Sequence, residues 1–141
     1  MKSHLISAIL ILLVSSCQSD NSISPSDALL YYRWQLVQVQ QSNNAPQLVS
    51  TTVFIAFGAD GTIQYDESGK DGACCVPKRF ARQVQTLLMD YSTGQPAYCQ
   101  YVDIRCTSAY SLGPEWVVEQ VDDQQLQLKI GEKRLIHKRA D

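Results

Sequence analysis

Much of this chain is written in short runs where apolar and polar side chains alternate. Gln124 to Ile130 is the cleanest, with Leu126, Leu128 and Ile130 in one phase and Gln125, Gln127 and Lys129 in the other. A period of two marks a half-buried strand. Gly131-Glu132 turns the chain into a further run, Lys133 to Arg139, while Glu115 to Val121 holds Trp116 and Val118 in phase, and Tyr98 to Cys106 holds Val102 and Ile104. Trp34 to Gln40 alternates except where Leu36-Val37 breaks the phase, which predicts a bulge. Thr51 to Phe57 is β-branched and aromatic, Gly58-Ala59-Asp60-Gly61 reads as a turn, and Thr62 to Asp66 puts Ile63 and Tyr65 on one face. Those three pieces predict a hairpin. Short strands at such spacing predict one all-β antiparallel domain, a barrel or a sandwich.

Two stretches carry a different period. Ser26-Asp27 ahead of Ala28-Leu29-Leu30-Tyr31 predicts an N-cap and a single helical turn. Phe80, Val84, Leu87, Leu88 and Tyr91 fall at helical spacing, and Pro77 suits a first helical position. A short helix within 77–91 therefore competes with a strand at Thr86 to Tyr91. The strand is favoured, because its neighbours are strand-like and it helps to complete a barrel.

The first 16 residues follow neither period. Lys2 leads an apolar run from Leu5 to Val14, interrupted by Ser7, and the small residues Ser15 and Ser16 follow. A run of about ten apolar residues is too short to span a bilayer and fits the apolar core of an export signal. Val14-Ser15-Ser16-Cys17 resembles the lipobox of bacterial lipoproteins. The resemblance implies cleavage before Cys17, a diacylglycerol on its sulfur and a third acyl chain on its new amino group. It also implies a place in the bacterial cell envelope, at the outer membrane. One acyl chain anchors marginally, whereas two or more hold stably. The expected organisation is a signal peptide over 1–16, a lipidated N-terminus and tether over 17–26, and a barrel domain over 27–141. Gln18 to Ser26 is polar and aperiodic, and nine such residues reach ~30 Å when extended.

Without the signal, 125 residues remain, with 11 Lys+Arg against 14 Asp+Glu. That length suits one domain. There is no basic cluster from which nucleic-acid binding could start. The 15 glutamines of this part are scattered and many alternate with apolar residues. They read as the solvated face of strands, not as an aggregating tract.

Trp34-Gln35-Leu36-Val37, Phe57 followed by Asp60-Gly61-Thr62, and Trp116 ahead of Gln125-Leu126-Gln127-Leu128 are similar to small lipocalin-like lipoproteins of Gram-negative bacteria. Cys74-Cys75-x-Pro77 with the later Cys99 and Cys106 resembles a subset of them. The likeness spans most of Leu30 to Lys138 and implies a roughly eight-stranded lipocalin-like barrel. Tyr32 stands where a lipocalin has glycine two residues before the first-strand tryptophan. The body is also shorter than most ligand-carrying lipocalins, and both departures argue against a roomy cavity.

Cys74, Cys75, Cys99 and Cys106 form the cysteine set of the body, and an exported location favours disulfides. Four cysteines allow three connectivities. Bonding the adjacent Cys74 and Cys75 would be strained, and the other two patterns both tie that corner to Cys99 and Cys106. A zinc site or a redox pair is the rival. Neither fits well, because C-x-x-C is absent and His137 is the single histidine after the signal.

No catalytic constellation emerges and no cofactor is implied. His137 shares strand phase with Leu135, which reads as a barrel-wall residue. No serine sits in G-x-S-x-G. Asp66-Glu67 and Asp122-Asp123 both read as turn residues, and Asp66-x4-Asp71 lacks the regular spacing of a calcium loop. Tyr31, Tyr32, Trp34, Tyr91, Tyr98, Tyr101, Tyr110 and Trp116 could line a barrel mouth. In a small barrel, plugging the core is the better reading. The expected function is non-enzymatic: binding a small apolar ligand or an envelope component, with the membrane reached through the lipid. The alternative is a protein-binding module, such as an inhibitor of a foreign envelope hydrolase. Some small barrel lipoproteins inhibit lysozyme, and Ser68-Gly69 sits in a loop, but Lys70-Asp71-Gly72 replaces the tyrosine that follows in those inhibitors. An envelope hydrolase is the third and weakest reading.

Overall fold

Alternation in the sequence becomes in-and-out alternation around a barrel wall. The computed structural model describes residues 25–50, 52–67, 70–71, 75–92, 109–111 and 113–141. A short helix α1 (Pro25–Leu30) precedes strands β1 (Arg33–Gln41), β2 (Gln47–Leu48), β3 (Val53–Phe57), β4 (Ile63–Glu67), β5 (Lys70–Asp71), β6 (Arg79–Gln83), β7 (Thr86–Asp90), β8 (Glu115–Val121), β9 (Gln125–Ile130) and β10 (Lys133–Arg139). They form one antiparallel sheet in the order β5-β4-β3-β1-β10-β9-β8-β7-β6, with the two-residue β2 beside β1. The other two-residue strand, β5, extends the sheet beyond β4, and the eight longer strands make the wall.

The wall closes between β4 and β6 through a bridge at Thr62 and Arg79. Ile63 N–H donates to the Lys78 carbonyl at 2.9 Å, and Phe80 N–H donates to the Gly61 carbonyl at 2.8 Å. Gly61 has φ +80°, and a Cβ there would stand 2.8 Å from the Phe80 carbonyl oxygen. Both the turn and the closure therefore require glycine. The expected bulge in β1 is present: Leu36 pairs with His137 but Gln38 pairs with Ile136, which leaves Val37 as the extra residue.

The strand favoured at Thr86 to Tyr91 forms as β7, and the competing helix within 77–91 does not. That stretch is a hairpin, β6 and β7, whose register runs from Arg79 opposite Asp90 to Gln83 opposite Thr86. Phe80 and Leu87 look helically spaced because they enter the core from opposite arms, and both are buried. Val84, which would have joined them on a helix face, is the hairpin tip and is 87% exposed. Its φ is +54°, a left-handed conformation that a β-branched residue resists. Val84→Gly is therefore expected to stabilise the protein by about 1 kcal/mol, read as a higher urea midpoint at constant slope. Helix α1 begins at Pro25, ahead of the expected Ser26 cap. Asp66-Glu67 ends strand β4 and does not form a turn. Tyr98 to Cys106 and Ser68-Gly69 lie outside the described residues.

The antiparallel order sorts the connections to two ends. One end carries α1, the Asp60 turn, the Val84 tip and the turn at Asp122-Asp123. In those turns Asp60 Oδ1 accepts from Thr62 N–H at 3.0 Å, and Asp122 Oδ1 accepts from Gln124 and Gln125 N–H at 2.9 and 2.7 Å. Helix α1 is tied down by Trp34, whose indole donates to the Leu30 carbonyl at 3.1 Å, and by an Asp27–Arg82 ion pair at 2.6 Å. At the other end lie Gly131-Glu132 and the connections β1–β3 and β7–β8.

Candidate functional site

The barrel interior is an aromatic cluster with polar atoms inside it. β4 supplies Tyr65, β8 supplies Trp116 and β10 supplies His137, each on the inward phase of its strand and each buried. Tyr110 belongs to no strand; it stands between β7 and β8 and is 1% exposed. Its ring lies 5.7 Å from that of Trp116 at 30°, 6.0 Å from that of His137 at 25°, and 5.4 Å from that of Tyr65.

Hydrogen bonding sets the protonation of His137. Nδ1 lies 3.2 Å from the Leu126 carbonyl, which can only accept, so Nδ1 carries the proton. Nε2 is then an acceptor, and the Tyr110 hydroxyl donates to it at 2.8 Å. Burial disfavours the imidazolium strongly enough to pull the His137 pKa down to about 4, against the smaller opposing pull of the Leu126 and Leu135 backbone. His137 is neutral in the folded protein at any physiological pH.

Two polar atoms of the cluster have no hydrogen-bond partner: the Tyr65 hydroxyl and the Trp116 indole nitrogen. Burial pushes the Tyr65 ionisation far up, and the nearby hydroxyls of Tyr110 and Tyr91 push it further. Tyr91 donates to the Gly113 carbonyl at 2.9 Å, and the Trp116 indole acts on its hydroxyl without completing a bond. An unsatisfied buried polar group costs about 1–3 kcal/mol. Two in one small barrel mark a place where packing alone does not account for the residues chosen.

The exterior is different in kind. A groove of about 450 Å³ beside the β9–β10 turn is lined by Gln40, Ser42, Lys129, Glu132, Lys133 and Arg134. Two of its charged side chains are engaged: Arg134 pairs with Glu119, and Glu132 accepts from Ser42 at 3.0 Å. No three His, Cys, Asp or Glu side chains among the described residues come together as a metal site.

Of the residues singled out in the sequence, His137, Trp34, Tyr110 and Trp116 are brought inside the barrel. Tyr31, Tyr32 and Tyr91 are partly buried, and Tyr32 carries the Arg139 guanidinium 3.8 Å over its ring. Cys17, Cys74, Cys99, Cys106, Tyr98 and Tyr101 lie outside the described residues, while Cys75 is partly buried with φ +66°. Tyr65 was missed as a site residue, although its shared phase with Ile63 was the signal that placed it inward.

No protein-family model and no curated protein sequence matches this chain. Two solved structures do. One is a lipocalin-like protein from Bacteroides uniformis, at 17% identity and TM-score 0.51, and the other an uncharacterized protein from Bacteroides eggerthii, at 14% and 0.54. Each likeness covers 79% of this chain and 99% of the other. Together with the eight-stranded, nearly closed wall they define the class: the fold is a lipocalin-like β-barrel.

Proposed function

We propose that this chain is a lipid-anchored envelope protein whose barrel, without catalysing a reaction, binds a small and largely apolar molecule. The observation that carries the reading is the pair of unsatisfied polar atoms, Tyr65 Oη and Trp116 Nε1, inside an interior that is mostly apolar apart from the hydrogen-bonded Tyr110–His137 pair. Small-molecule sites combine apolar and aromatic walls with a few placed polar groups, and barrel mouths are a common location. The fold supports the same reading, since an eight-stranded barrel has room for filling side chains or for one small ligand.

Titrating the intact protein with the uncharged apolar probe N-phenyl-1-naphthylamine is expected to give a saturable fluorescence rise with one site per barrel. Failure of this probe and of every other uncharged apolar probe to saturate would sink the ligand reading. Anchoring is tested separately. Cys17→Ala is expected to move the protein from the membrane fraction to the soluble fraction of cells, and unchanged membrane retention would overturn the lipid anchor. The reading also keeps the body cysteines as structural cross-links, supported by the bonded state of the Cys75 sulfur.

A further inference from the structure

Tyr110 is the one buried aromatic among the described residues that no barrel strand supplies. Its phenol ring is stacked on the Trp116 indole at 5.7 Å, and its hydroxyl end meets the His137 imidazole, Nε2 of which accepts from it at 2.8 Å. The Tyr65 hydroxyl and the Trp116 indole N–H, carried on the two rings packed against Tyr110, are left unsatisfied. The interior thus holds one ring in a slot that recognises more than that ring offers.

We propose that the Tyr110 phenol is the chain's own occupant of the ligand slot, and that the ligand is an uncharged hydroxyaryl compound bearing an acceptor for Tyr65 and Trp116. This rests on the ligand-binding reading above and names the chemistry of that site. The stacking face of Trp116, with the tilted Tyr65 ring 5.4 Å away, selects a planar aromatic ring. The Nε2 acceptor of His137 selects a hydroxyl donor on that ring. The two orphaned donors select a carbonyl-type acceptor elsewhere on it. No lysine, arginine, aspartate or glutamate among the described residues is buried, so a charged ligand would go unpaired. The Lys78 ammonium sits 5.2 Å from the Tyr65 ring centroid. On its C-terminal side Tyr110 is followed closely by Gly113, at φ +88°, whose carbonyl Tyr91 holds.

Displacing its own ring lowers the apparent affinity of the protein by the fraction of time the slot stands open. Titrations of the intact protein with 4-hydroxybenzamide, p-cresol, benzamide and 4-hydroxybenzoate test the assignment. 4-Hydroxybenzamide is expected to bind saturably and to shift the Tyr110 ring resonances in a tyrosine-labelled sample. The other three compounds should bind at least about tenfold more weakly, each lacking one feature or adding a charge. Tyr110→Ala should tighten 4-hydroxybenzamide binding by about tenfold or more. Tyr65→Phe should weaken it while leaving p-cresol unaffected. Equal affinity for p-cresol and 4-hydroxybenzamide in Tyr110→Ala would make the slot a plain cavity and overturn the proposal. Tighter binding of 4-hydroxybenzoate, or ligand binding that leaves the Tyr110 resonances unmoved, would do the same. If Tyr110→Ala does not fold, the wild-type resonances and Tyr65→Phe decide. Saturable uptake of N-phenyl-1-naphthylamine without binding of any phenol removes this inference and leaves the broader function standing; failure of both removes both.

Discussion

Replacing Trp34 with alanine is expected to cost about 3–5 kcal/mol, the range for truncating a fully buried tryptophan. Trp34 is 0% exposed and its backbone lies between β10, opposite Arg139, and β3, opposite Ile55. It fills the end of the barrel that α1 covers, and its indole N–H is the donor that satisfies the Leu30 carbonyl at 3.1 Å. Truncation therefore opens a cavity and orphans a carbonyl together. Trp34→Phe separates the two effects, since it keeps a ring and removes the donor, and should cost about 1–2 kcal/mol. Urea midpoints at constant slope measure both. Hydrogen exchange at Tyr31 and Tyr32, whose N–H groups donate to the Ala28 and Leu29 carbonyls at 3.2 and 3.4 Å, reports whether α1 comes loose. A loss below about 1 kcal/mol in Trp34→Ala would show that the core closes without it.

Stability should also fall on mild acidification, by about 3 kcal/mol between pH 7 and pH 4, because of His137 alone. Its pKa is pulled from an ordinary 6.5 down to about 4 in the folded barrel. Between those two values the unfolded chain binds a proton that the folded one refuses, so stability is complete above pH 6.5 and is lost as pH falls toward 4. Below 4 the folded form protonates as well and this loss levels off. Asp60, Asp122 and Glu119 overlap this window only at its acid edge, where unfolded carboxylates begin to take up protons. Their hydrogen bonds from Thr62, from Gln120 with the following backbone, and from Arg134 hold them below the usual carboxylate range, so their contributions fail at lower pH. His137→Gln is expected to flatten the profile between pH 7 and 4 while lowering stability at pH 7. A urea midpoint for the wild type that stays level across this window would refute the buried neutral imidazole.

Strand existence was readable wherever one face meets water. Gln125, Gln127 and Lys129 against Leu126, Leu128 and Ile130 became β9 with that alternation intact, and Lys133 to Arg139 became β10 at the bounds expected. The reading was divided, though it favoured the β7 strand that forms, where a two-residue turn set inward residues of two strands at helix-like intervals, as Phe80 and Leu87 are. Hairpin turns with positive φ usually announce themselves by glycine or asparagine, and here the position holds Val84. The interior site was half legible. Phase placed His137 and Trp116 on the inner wall, but no local pattern tells that Tyr110 would leave its own segment to hydrogen-bond a residue 27 positions later.

Local patterning by itself determined the all-β class, the β3–β4 hairpin, the β1 bulge and the inward phase of the aromatic residues, because those follow from a period of two along single strands. Only the tertiary structure decided that the ends of the sheet meet at Thr62 and Arg79, that Tyr110 fills the centre, and that Tyr65 and Trp116 keep unpaired polar atoms there. The reason is that closure and enclosure depend on distances between segments remote in the chain. A hydroxyl becomes an orphan, and an imidazole becomes neutral, only when every surrounding strand has removed the water.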